Sequence, residues 1–120
     1  MSCLFNTLCT FVNLEGEELR HNICNYLSNN PKMFENVSAE DYVKWNNEGY
    51  NNINEYIRDM KKNYTWGGAI EIKAFCNMYN KHVNVHDVRT RKQSVINFID
   101  EDRVRDTIDI NWNGGHYWPK

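Results

Sequence analysis

Two residue types able to do covalent chemistry stand near opposite ends of this 120-residue sequence. Cys3 lies in Ser2-Cys3-Leu4-Phe5-Asn6-Thr7-Leu8, at the head of an apolar helical pattern, and His116 follows a turn signal in Trp112-Asn113-Gly114-Gly115-His116-Tyr117-Trp118. Only a thiolate is a good nucleophile, and a helix start favours it through unpaired N–H groups and the positive end of the helix dipole. An imidazole within hydrogen-bond reach could take the thiol proton as general base. The bland alternatives are a small buried apolar residue at Cys3 and a strand residue with one hydrogen bond at His116.

These two groups need a scaffold that brings them together. Leu4, Leu8, Phe11 and Val12 recur at helical spacing, predicting a helix over about 3–12. Glu17 and Glu18 open a second, with Leu19, Ile23, Tyr26 and Leu27 on its face and Asn29-Asn30-Pro31 at its end. Ser38 and Asp41 resemble a capping box before a short helix with Tyr42, Val43 and Trp45, which Gly49 breaks. Ile53, Tyr56, Ile57 and Met60 mark a fourth helix, and Ile72, Phe75, Cys76 and Tyr79 a fifth. After Asn80 the period drops to two: Val83 and Val85, then Ile96 and Phe98, then Ile108, Ile110 and Trp112. Asn113-Gly114 predicts a type I′ hairpin turn, with Gly115 as a bulge and His116 heading the last strand. Helices followed by strands predict one α+β domain over 1–120, with helices packed on a small, mostly antiparallel sheet.

Composition narrows the class. The formal net charge is −2 and basic residues are dispersed, so no nucleic-acid footprint is present. No apolar run approaches a membrane span and no signal peptide is visible, so a cytoplasmic protein is expected, in the host's cytoplasm if the source is viral. The four cysteines, Cys3, Cys9, Cys24 and Cys76, lack paired metal-ligand spacing, so free thiols and no metal or cofactor are expected. Cys9, Cys24 and Cys76 lie on or beside apolar helix faces and read as core. His21 reads as solvated, and His82 and His86 as the polar side of a strand. Nineteen asparagines, dispersed between apolar positions, point to an A/T-rich coding sequence, as in some viruses and parasites.

Three ordered blocks carry a family resemblance. SCLFNTL resembles the nucleophile motif of the ovarian-tumour (OTU) cysteine proteases, in which Asp-Gly-x-Cys-Leu-Phe leads into a helix. YTWGGAIEIKAFCNMYNKHVNV resembles their second block, and INWNGGHYW the third, whose Gly-x-His-Tyr holds the catalytic histidine. The resemblance implies an OTU-like fold and a deubiquitinase: Cys3 attacks the carbonyl of the C-terminal glycine of ubiquitin or a ubiquitin-like modifier, and His116 is the general base. Amides at and just before Cys3 are implied as the oxyanion hole. Trp66, Gly67 and Gly68 match the family's motif too, and their plainer reading is a helix start packed near the cleft. The family commonly has Asp-Gly before the cysteine and an Asp or Asn two residues past the histidine. Here Met1-Ser2 and Trp118 stand there, which keeps open a degenerate module used for binding, assembly or as a viral structural protein. Asn111 and Asp109 alternate with apolar neighbours; Asn111 is the candidate for orienting His116, its alternative being a solvated strand residue.

Overall fold

The computed structural model describes residues 3–46, 49–96 and 101–120. Its elements run in chain order as α1 (Cys3–Leu8), α2 (Gly16–Ser28), β1 (Lys32–Phe34), β2 (Val37–Ser38), α3 (Ala39–Asn46), α4 (Ile53–Met60), α5 (Ala69–Tyr79), β3 (Lys81–Asp87), β4 (Lys92–Ile96), β5 (Asp106–Trp112) and β6 (Tyr117–Pro119). The expected first helix is shorter than its apolar pattern: after Leu8 the chain tightens into a 3₁₀ turn over Cys9–Phe11. A β1–β2 hairpin fills the stretch after α2, for which the sequence predicts no element. Phe98, expected in the second strand, lies outside the described residues.

The main sheet has the order β4-β3-β5-β6. Its outer pairings are antiparallel, while β3 and β5 run parallel, with Val83 opposite Ile108 and Val85 opposite Ile110. Those four side chains face the helices and are buried. Helix α5 is the hub of the helical layer: Ile70 through Cys76 are all buried, including the polar Glu71 and Lys73. Asn80 ends it in the left-handed region at φ 58°, a conformation asparagine tolerates, and turns the chain into β3.

The starts of α3 and α4 are capped by side chains. Asp41 donates its N–H to the Ser38 hydroxyl at 3.2 Å, and Glu55 donates to the Asn52 side chain at 3.0 Å. On α3, Val43 is buried, but Trp45 is 70% exposed and so lies off the apolar face. Arg20 on α2 is wholly buried. Its guanidinium donates to the Met60 carbonyl at 2.8 Å and lies 4.3 Å from the centre of the Phe5 ring. A buried cation is tolerated when its donors are met in this way. This contact braces α1 from beneath.

Candidate active site

Helix α1 packs against β6, so the first and last described elements meet there. Leu4, Phe5 and Leu8 are fully buried, so the rest of the helix is pinned by the core. Cys3, at its first turn, remains half-buried. Thr7, one turn on, donates its hydroxyl to the Cys3 carbonyl at 2.7 Å.

On the other side, His116 is set by the β5–β6 turn. Asn113 donates its backbone N–H to the His116 carbonyl at 3.1 Å. Its side-chain oxygen accepts from the N–H of Gly115 at 3.1 Å and of His116 at 2.7 Å. This corrects the expected turn. Asn113 is the corner rather than a central residue, Gly114-Gly115 form the two-residue loop, and only Gly114 has positive φ, at 100°. That is the pattern of a type II′ turn, in which only the first central position needs glycine. The asparagine is used for its side-chain acceptor, which replaces its own carbonyl in holding the His116 N–H.

Cys3 and His116 line one crevice of about 390 Å³, together with Asn6, Thr7, Tyr117, Trp118 and Pro119. Tyr117 faces inward, its ring stacked on Trp112 with centroids 6.2 Å apart. Burial, and after it a charge at Cys3, pushes the Tyr117 hydroxyl up to about 12, so it stays a neutral donor beside the thiol. The His116 imidazole, exposed on the opposite face of the strand, stacks on the indole of Trp118. Asn111 pairs directly with Trp118 across the β5–β6 ladder and therefore lies diagonal to His116 on the same face. Next along that face, Asp109 accepts from the Asn84 amide at 3.0 Å and lies 2.8 Å from His86 Nε2.

One further segment touches both halves of the site. Trp66-Gly67-Gly68 leads into α5, and Glu71 holds it by accepting the Gly68 N–H at 2.8 Å. A Cβ on Gly67 would lie 2.8 Å from Leu4 Cδ2 and 3.1 Å from the Phe5 ring, so this backbone rests on α1. Trp66 lies against the His116 turn: its indole is 3.7 Å from where a Gly115 Cβ would sit. Glu71 itself is buried, and its other oxygen accepts from the Tyr56 hydroxyl. Burial raises its carboxyl to about 7 despite those bonds.

The other three cysteines are buried, as their helical positions predict. Burial pushes Cys24 up to about 11 and Cys76 to about 12, which leaves them protonated and unreactive. His21 is exposed on α2. Among the described residues, no cluster of three or more His, Cys, Asp or Glu could hold a metal ion. Sequence reasoning missed the Trp118 stack and the Asn113 acceptor. The Asn-Gly-Gly-His string contained a signal for the second, but the reading of its turn was displaced by one residue.

A thiol on a helix start and an imidazole on an edge strand thus line one crevice of a helices-then-sheet domain. The profile of OTU-like cysteine proteases matches residues 2–117, and the chain belongs to that family. It is 24% identical over 123 residues to a protein of invertebrate iridescent virus 3 that carries the name ubiquitin thioesterase 232R. That match covers 98% of this chain but only 14% of the viral protein. Among solved structures, an OTU domain in complex with ubiquitin is 26% identical with a TM-score of 0.75, covering 98% of this chain and 62% of that one. The viral OTU domain protease from Dera Ghazi Khan virus shares the fold, at 19% identity and a TM-score of 0.70 over 98% of this chain and 72% of its own.

Proposed function

We propose that this protein is a deubiquitinating cysteine protease that hydrolyses the bond after the C-terminal glycine of ubiquitin or a ubiquitin-like modifier. Cys3 Sγ gives its proton to His116 and attacks the glycine carbonyl; the C–N bond then breaks as His116 returns a proton to the leaving amine. Water, deprotonated by His116, releases the acyl group from the thioester. The backbone N–H of Cys3, in the first turn of α1, serves as a donor to the oxyanion. Asn111, on the same sheet face as His116, serves as an acceptor for the imidazolium, across one water molecule at its diagonal separation.

The observation that carries this proposal is that Cys3 and His116, almost a whole chain apart in sequence, line a single crevice. Family membership and the ubiquitin-bound relative support the choice of modifier. Ubiquitin bearing a C-terminal electrophile should form a covalent adduct with the protein, and Cys3→Ser should abolish it while leaving the melting temperature unchanged. Parallel probes built on ubiquitin-like modifiers give the preferred substrate. A folded protein that none of these probes labels is a binding module and not a protease.

A further inference from the structure

Trp118 stands two residues past His116, and its indole has an N–H donor but no in-plane acceptor. It cannot orient the imidazole by its edge as a carboxylate or amide would. What it presents is its π face. The two rings are stacked, with centroids 5.6 Å apart and planes inclined by 18°. Pairing with Asn111 on β5 holds Trp118 in place, and half-burial restricts its indole further. A neutral imidazole gains little from such a face, whereas an imidazolium is attracted to the negative potential of the ring.

The surrounding groups leave this contact prominent. Helix α1 contributes Cys3, and β6 contributes the neutral Tyr117. Arg89 comes close to the turn at Gly114, but Asp87 takes its guanidinium at 2.8 and 3.0 Å. Further along the sheet face, Asp109 is committed to His86 and Asn84, and Lys120 Nζ lies 3.5 Å from His86 Nδ1.

We propose that Trp118 is a positioning residue for His116: it holds the imidazole by its face and stabilises the imidazolium by cation–π stacking. Proton transfer from the Cys3 thiol creates that cation along with the thiolate, so the stack favours the reactive pair. This rests on the role proposed above for His116, but its test needs no ubiquitin and is scored separately from probe labelling.

The experiment is an NMR titration of the His116 ring in a Cys3→Ala background, which removes the thiol as a competing charge. Replacing Trp118 by Leu or Gln should lower the titration midpoint by about 0.4–0.7 pH unit, the scale of an exposed cation–π contact. Trp118→Phe should recover part of the shift. With Trp118 intact, the ring-current shift of the His116 protons should persist through protonation. An unchanged midpoint in either folded variant, or a stack that opens when His116 is protonated, overturns the proposal.

Discussion

The adjacent glycines Gly67 and Gly68 should respond very differently to the same added methyl group. At Gly67 a Cβ would stand 2.8 Å from Leu4 Cδ2 and 3.1 Å from two atoms of the Phe5 ring. Neither neighbour can yield freely. Leu4 and Phe5 are 1% and 0% exposed, and Phe5 is backed by the buried Arg20 guanidinium. Relief must come from moving α1, and overpacking of that kind costs about 1–3 kcal/mol. At Gly68 a Cβ meets nothing within 4 Å, and the backbone is extended, with φ at −152°. The penalty there is mainly the poorer helix cap that alanine makes, about 1 kcal/mol or less. With roughly 4 °C per kcal/mol for a domain of this size, Gly67→Ala should melt about 4–12 °C below wild type and Gly68→Ala within about 4 °C of it. The displacement also reaches Cys3, the residue before Leu4. Labelling by the ubiquitin probe, measured where both variants are fully folded, should therefore slow about tenfold or more in Gly67→Ala alone. If the two variants melt together and label at one rate, the proposed contact between the Trp66-Gly67-Gly68 segment and α1 does not govern the site.

Two other predictions probe the supports around the site. Glu71 titrates near 7 in the folded protein against an ordinary 4.5, so the fold prefers its protonated form. Its contribution is therefore complete below about 4.5 and is lost as pH rises toward 7, roughly 3 kcal/mol in all. Urea unfolding at pH 5 and pH 8 should show wild type losing more stability than Glu71→Gln over that interval; equal losses would remove Glu71 as the source. Asn113→Ala deletes the acceptor for the Gly115 and His116 N–H groups. It should cost only about 1 kcal/mol of stability at this exposed turn but slow probe labelling severalfold, whereas Asn113→Asp, which keeps the acceptor, should label near the wild-type rate.

What could be read in the sequence followed from the range of the interactions involved. Helices α2, α4 and α5 and strands β3 and β5 announce themselves because their apolar period is local and their buried faces are continuous. The β1–β2 hairpin does not, since strands of three and two residues are too short to show a period. Nothing local in the sequence marks Arg20 as buried, because its acceptor at Met60 lies forty positions away. At the site, the thiol and the imidazole are visible as residue types with complementary chemistry, but no local pattern says that the fold brings them together, and the OTU resemblance supplies that expectation. The parallel register that sets β5 beside β3 involves contacts no local pattern encodes. The turn before His116 was misread for a physical reason. Asparagine followed by glycine suits two different turn frames, and the choice here is made by a side-chain acceptor.

The route by which the two halves of the site meet also explains why so small a domain can hold them. Helix α1 lies on β6, and the Trp66-Gly67-Gly68 segment touches both α1 and the turn before His116. Three stretches far apart in the chain thus close on one another, and no local fragment contains both Cys3 and His116. The entropy of such a closure grows only with the logarithm of loop length, so spanning nearly the whole chain costs little more than spanning half of it. The larger cost is positional, because a helix of six residues has no stiffness of its own to hold Cys3. Leu4 and Phe5 supply that stiffness by burial, and they are the same side chains that the Gly67 backbone rests on. Stability at Gly67 and the placement of Cys3 are therefore two consequences of one packed contact.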